Sequence, residues 1–221
     1  MTTWLHEERL SAVFAIIRDR RARRILDLGC GDGDLLLRLA LEPQIERIVG
    51  VEIDPAALSR LQHRLDEAAS HMPSHGPPHR PEIRLVHGSM MEGGAALTGF
   101  DCAILLETIE HIDPARLSVL ERNIFAAMRP ATVIITTPNA EYNPLLGVPA
   151  HRFRHPGHRF EWDRAKFLKW AKGVAARHRY AMVCRDIAGH HPALGGASQM
   201  AVFDAMTPDG NGRDGNGQDG C

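Results

Sequence analysis

Apolar positions along this chain follow two periods that take turns. Leu5, Leu10, Val13, Phe14, Ile16 and Ile17 fall at helical spacing, which predicts an amphipathic helix over about the first 20 residues. RILDLG then reads as a short buried strand, a glycine turn follows, and Leu35, Leu36, Leu39 and Ala40 return to the helical period. The rhythm repeats as strand RIVGVEI and helix PAALSRLQHRLDEAA, strand EIRLVHG, strand FDCAILL and helix PARLSVLERNIFAAM, then strand TVIITTP. Strands alternating with helices predict an α/β fold with a doubly wound, mostly parallel sheet. YAMVCRDI and QMAVFDAM would bring the sheet to seven strands by adding edges.

After Pro138 the pattern breaks into NAEYNPLLGVPAHRFRHPGHRFEW, before a helix from about Asp163 to His178. An irregular stretch of that length in a compact domain is usually functional. The expected domain is 1–206. The tail 207–221 is almost without apolar residues and is expected to be disordered. Its Asp/Asn/Gly content hints at a calcium loop, but Asp214 stands at the glycine position that an EF-hand requires. HMPSHGPPHRP spaces His71, His75 and His79 four apart, yet its Pro and Gly residues forbid a helix that would gather them, so it reads as a solvated insertion.

Composition narrows the classes. An apolar fraction of 44% with 24% charged residues suits a globular domain with a sizeable core. No apolar run approaches the roughly 18 residues that a membrane span needs, and the N-terminus carries no signal-peptide pattern, so a cytoplasmic protein with no membrane partner is expected. Cys30, Cys102, Cys184 and Cys221 are widely spaced and show no C-x-x-C pair, which argues against a disulfide framework or a zinc knuckle. A net charge of −1 hides one basic segment. Between His151 and Tyr180 nine Lys/Arg stand against Glu161 and Asp163.

Two stretches carry candidate chemistry. In ILDLGCGDGDLL, Gly29, Gly31 and Gly33 lie between a strand and a helix, where a backbone must turn sharply and let a ligand approach. Glu52, in GVEID at the end of the next strand, is placed to accept hydrogen bonds from ribose hydroxyls. The loop resembles the D-x-G-x-G-x-G of S-adenosylmethionine (SAM) dependent methyltransferases more than the G-x-G-x-x-G of NAD enzymes. Asp27, Gly29, Gly31 and Glu52 are thus the expected cofactor contacts, with Ser89 at the adenine position.

ETIEH follows the FDCAILL strand. One helical turn would aim Glu107, Glu110 and His111 the same way. The plain alternative is acidic decoration of a helix start, favoured by the helix dipole. Position favours a site, because ligands of open α/β sheets bind outside the carboxyl ends of the strands. Crowded carboxylates with an imidazole suit Mg²⁺ or Mn²⁺, with Co²⁺ or Fe²⁺ as alternatives, better than a structural Zn²⁺ once a further ligand is added, and His151, His155 and His158 lie in a loop that can supply it.

Taken in order, ETIEHID, ITTPNAEYN, HRFRHPGHRFEWDRAKFLKWA and SQMAVF resemble the HUA-enhancer type of small-RNA 3′-terminal 2′-O-methyltransferase, from about Leu5 to Asp204. The resemblance implies a Rossmann-like class I SAM-dependent methyltransferase that methylates the ribose 2′-oxygen of the 3′-terminal nucleotide of RNA. It implies one divalent cation on Glu107, Glu110, His111 and His158, with His151 and His155 outside the ligand set. Its partners would be an RNA 3′ end with free 2′- and 3′-hydroxyls and an RNA repair kinase, phosphatase or ligase. Arg152, Arg154 and Arg159 would meet phosphates, with Phe153, Phe160 or Trp162 available for stacking. Glu52 where Asp is more frequent, the His71–Pro81 insertion and the missing accessory domains depart from the pattern. Rival readings are a small-molecule or protein methyltransferase that uses the acidic cluster as a clamp, a metallohydrolase, and a non-catalytic RNA-binding module.

Overall fold

The structure, a computed structural model, describes residues 3–70, 80–92 and 94–206. The histidines of the 71–79 stretch and the tail 207–221 lie outside the described residues. Helix α1 (Trp4–Asp19) is followed by β1 (Arg24–Leu28), α2 (Asp34–Leu39), β2 (Arg47–Glu52), α3 (Pro55–Ser70) and β3 (Glu82–His87). The second half runs β4 (Cys102–Leu106), α4 (Leu117–Glu121), β5 (Thr132–Pro138), α5 (Arg164–His178), β6 (Tyr180–Ile187) and β7 (Ser198–Ala205). Among the described residues no helix is long and apolar enough to cross a membrane.

The seven strands form one sheet in the order β3-β2-β1-β4-β5-β7-β6, parallel from β3 through β5, with β7 antiparallel to both of its neighbours. Side-chain alternation divides the core between two faces. Ile25, Cys102, Ile104, Ile134, Met200 and Val202 pack toward α1, α2 and α3. Leu26, Leu28, Ala103, Leu105, Val133, Ile135, Ala201 and Phe203 pack toward α4 and α5. Phe125 anchors the second layer, with ring centroids 5.0 Å from Phe203 and 5.2 Å from Tyr180.

Three expectations about elements change. β7 is an interior strand, paired with β5 from Thr132↔Asp204 to Pro138↔Ser198, and only β6 is an edge on that side of the sheet. Its side chains reach both cores, which an edge strand covered on one side would not need. The stretch after β4 is not one α-helix. A 3-10 turn at Pro114–Arg116 leads into α4 and then into a wider π-helical segment, Arg122–Met128, from which the Asn123 amide donates to Met90 O at 2.7 Å. Finally, ETIEH does not form a single helical turn. Glu107 sits beyond the end of β4 with φ +50°, and only Ile109–His111 make a 3-10 turn.

Candidate active site

The carboxyl ends of β1, β2, β4 and β5 open into two adjoining cavities. One, of about 700 Å³, is lined by Gly29, Glu52, Ser89, Thr108, His111 and Arg159 among others. The second, of about 470 Å³, is lined by Asp27, Gly29, Gly31, Glu107, Glu110, His111, His155 and His158, together with Arg9 and Arg154. Gly29, Glu107 and His111 border both, so the glycine loop and ETIEH face one continuous crevice.

The glycine loop is shaped for a ligand. Gly29 has φ +80° and a methyl group there would lie 2.6 Å from Thr108 Cγ2, so both its backbone and its packing require glycine. Gly31 has φ +53° with open space where a side chain would project. Its N–H donates to Glu52 Oε2 at 3.0 Å, while Ile53 N and Asp54 N donate to Glu52 Oε1 at 2.7 and 2.9 Å. The longer arm of Glu52 thus ties the glycine loop to the end of β2. Asp27 is buried beneath the loop, and burial, followed by the charge of Glu52, pushes its carboxyl up to about 7. A carboxylate held there gains by meeting a cationic ligand. Ser89 Oγ accepts from Met91 N at 3.2 Å and keeps its own proton for the cavity.

The acidic pair is held by polar side chains at the ends of β5 and β7. Glu107 N donates to Thr136 Oγ1 at 2.9 Å, and Ser198 Oγ donates to Glu107 Oε2 at 3.1 Å. Arg9 Nε, from α1, lies 3.7 Å from the same oxygen. Thr137 Oγ1 donates to Glu110 Oε2 at 2.9 Å, and Glu110 is 0% exposed. Its carboxyl is pushed well above the ordinary range, first by burial and then by the charge of Glu107. One oxygen of each acid, Oε1 of Glu107 and Oε1 of Glu110, is buried with no hydrogen-bond partner. Two such orphans beside each other are costly unless something positive engages them.

The loop after β5 brings imidazoles together in the cavity that the acids line, although among the described residues the cluster of ligand atoms holds the three histidines and neither acid. Arg159 N donates to Glu110 O at 2.7 Å, stitching the loop to the 3-10 turn. Ligand atoms of His111, His155 and His158 lie within 4.8 Å of one another, and the ring centroids of His111 and His158 are 4.8 Å apart. Burial, and then the neighbouring His158 ring, lower the pKa of His111 and favour the neutral form that binds metals. His158 Nδ1 pairs with Glu161 Oε1 at 2.6 Å.

A methyltransferase domain matches residues 5–183. A crystal structure of the methyltransferase domain of bacterial CtHen1-C superposes with a TM-score of 0.79 at 35% identity, over 92% of this chain and all of that one. The chain belongs to the Hen1-type methyltransferase-domain family. A crystal structure of the small RNA methyltransferase HEN1 gives a TM-score of 0.81 at 30% identity, covering 91% of this chain and 26% of that one. The small RNA 2′-O-methyltransferase of Rattus norvegicus is 35% identical over 208 residues, and that of Arabidopsis thaliana 30% over 218. The chain spans about half the length of the first of these relatives and 22% of the second. The seven-stranded sheet is that of Rossmann-like class I SAM-dependent methyltransferases.

Within this Hen1-type domain, several residues depart from what the sequence led us to expect. Arg154 is half-buried rather than exposed. Its guanidinium donates to Ala197 O at 2.6 Å and also to Asn139 O and Asn143 Oδ1, so it is engaged in pinning the loop to β5 and β7. Phe160 and Trp162, 5% and 6% exposed, stack on each other in the core and offer no platform for a base. Phe153, at 47%, is the exposed aromatic, and Arg152 and Arg159 are exposed in the same loop. His151 is exposed and outside the imidazole cluster. Reading from the sequence missed Arg9, Thr136, Thr137, Asn139, Ser198 and Glu161 as parts of the site. ITTPN and SQM carried most of them, but nothing local says that a threonine at a strand end will hold a carboxylate from the next strand.

Proposed function

We propose that this chain transfers the methyl group of SAM to the 2′-oxygen of the 3′-terminal ribose of RNA, with one Mg²⁺ or Mn²⁺ held by Glu107, Glu110, His111 and His158. The observation that carries the reading is the pair of partnerless buried oxygens on Glu107 and Glu110, in the same crevice as the glycine loop and beside two imidazoles. The names of the relatives, small RNA 2′-O-methyltransferases, support the choice of RNA as substrate. The donor set fits the metal: hard carboxylate oxygens with neutral imidazoles suit Mg²⁺ or Mn²⁺. A cation bound there would supply Lewis acidity, lowering the pKa of a ribose hydroxyl and favouring a 3′ end with vicinal hydroxyls.

The chain's own residues do the remaining work. Asp27, Gly29, Gly31, Glu52 and Ser89 would hold SAM, with the carboxylates of Asp27 and Glu52 offsetting its positive charge. Because the sulfonium loses its charge as the methyl leaves, positioning of the two reactants carries much of the rate. Thr136, Thr137 and Ser198 fix the two carboxylates, and Glu161 fixes His158. Arg152 and Arg159 would meet backbone phosphates of the incoming strand.

The test is tritiated-methyl transfer from SAM to one RNA bearing either a 3′-hydroxyl or a 3′-phosphate, with and without Mn²⁺. Transfer is expected only to the 3′-hydroxyl form and only with the cation, and Glu107→Ala should abolish transfer while SAM binding persists. Equal methylation of the 3′-phosphate RNA would overturn the terminal-hydroxyl reading. Activity that survives EDTA would favour a methyltransferase that uses the acids as a substrate clamp.

A further inference from the structure

Three imidazoles crowd one wall of the crevice, but the hydrogen bonds of His155 and His158 set those two apart. A neutral imidazole has one N–H and one lone pair, and whatever its first nitrogen bonds to decides what its second can do. His158 Nδ1 faces the carboxylate of Glu161, which only accepts, so a proton sits on Nδ1 and Nε2 is the nitrogen left to ligate. His155 is the opposite case. Its Nδ1 accepts the Gly157 N–H at 3.0 Å, which places its proton on Nε2.

We propose that His155 is not a ligand of the cation but a hydrogen-bond donor, through Nε2–H, to an oxygen of the terminal nucleotide. This rests on the RNA reading above. The ring lines the same cavity as Glu107 and Glu110, is exposed at its mouth, and lies 5.5 Å by centroid from both His111 and His158. A donor at that place suits an oxygen with lone pairs to offer, either the 3′-hydroxyl or a non-bridging oxygen of the last phosphodiester. Proximity alone would make the three rings a ligand set, yet the Gly157 wedge gives His155 the wrong tautomer for that.

Three measurements on the full chain test the assignment. In ¹⁵N-histidine spectra of the metal-free protein, His155 should show a protonated Nε2, and His158 a protonated Nδ1. In Mn²⁺ titrations, His155→Leu and His155→Gln should keep affinity within about twofold, whereas His158→Ala should lose at least about tenfold. In RNA binding measured with Mn²⁺ present, His155→Leu should weaken the Kd by about tenfold, and His155→Gln, whose amide restores an N–H donor, should recover most of it. RNAs with a terminal methylphosphonate linkage or a 3′-deoxy end identify the oxygen: the modification that makes wild type and His155→Leu equal removes the acceptor. A loss of Mn²⁺ affinity in His155→Leu equal to that of His158→Ala, the reverse tautomer, or unchanged RNA binding in His155→Leu would overturn the proposal. Failure of the wild-type protein to bind any RNA would overturn the reading beneath it, a result distinct from a failure confined to His155.

Discussion

His158 Nδ1 and Glu161 Oε1 lie 2.6 Å apart, with their side chains 8% and 1% exposed, so one carboxylate inside the loop decides how this candidate ligand presents itself. Burial alone would push the Glu161 carboxyl up, but hydrogen bonds from His158, Asn143 and Arg154 N outweigh it and hold the carboxyl below its ordinary value. Glu161 is therefore ionised and accepts from three donors at once. Removing its charge by Glu161→Gln should weaken Mn²⁺ binding by about 10–100-fold, as loss of the outer partner of a metal-bound histidine usually does, and leave SAM affinity intact. Calorimetric titration with each ligand separates the two effects.

Glu110 gives a stability test. Two acids with orphaned buried oxygens destabilise the metal-free chain, and the charge of Glu107 is one cause, after burial, of the raised pKa of Glu110. Mn²⁺ should raise Tm, by an amount corresponding to about 2.7 kcal/mol at a hundredfold excess over its Kd. Glu110→Gln should raise the metal-free Tm and abolish the Mn²⁺-dependent rise. Thermal denaturation with and without Mn²⁺ reads both.

Asp27 sets a pH dependence. Its carboxyl is raised from 3.8 to about 7, so between those values the folded chain holds a proton that the unfolded chain has already lost. For an acid raised in this way, stability falls as pH climbs from about 4 toward 7, by at most about 1.4 kcal/mol for each pH unit, and levels off above the folded pKa. Asp27→Asn should flatten that decline in the ligand-free protein and at the same time abolish SAM binding. Denaturant unfolding at pH values from about 5 to about 8 is the check.

Gly29→Ala should cost about 1–3 kcal/mol, because the new methyl meets Thr108 Cγ2 at 2.6 Å and φ is +80°. SAM affinity should fall with it, since Thr108 belongs to the wall of the cavity that Gly29, Glu52 and Ser89 line. Denaturant titration and SAM calorimetry on the same variant measure the two losses.

The three arginines of the loop should separate by salt dependence. Arg152→Ala and Arg159→Ala, at exposed positions, should weaken RNA binding and each lower the slope of log K against log[salt] by about 1. Arg154→Ala should lower Tm instead, because its guanidinium is bound to backbone carbonyls of the core. Filter binding over a salt series, with melting curves for the same variants, distinguishes the classes.

The strands were legible because each one is a local pattern. The faces of β1, β4 and β5 follow from alternation, and the helix over Arg164–His178 announces its start through Asp163, whose side chain accepts from Lys166 N at 2.7 Å. The place of β7 was not legible. An apolar strand reads the same whether it lies at an edge or inside, and only its pairing with β5 decides. ETIEH was legible as a cluster but not as a conformation, because the left-handed φ of Glu107 is held by Thr136 and Ser198, which are distant in sequence.

By itself, the sequence determined the alternating α/β order, the glycine loop with Asp27 before it and Glu52 after it, and the acids and imidazoles available to one crevice. These depend on period and spacing, which are properties of neighbouring residues. The tertiary structure decided which arginine turns inward, which aromatics are buried, which carboxylate oxygens lack a partner, and what His155 and His158 each meet at Nδ1. Those depend on hydrogen bonds between residues brought together only by folding, and a donor's direction is fixed by what lies opposite it in space.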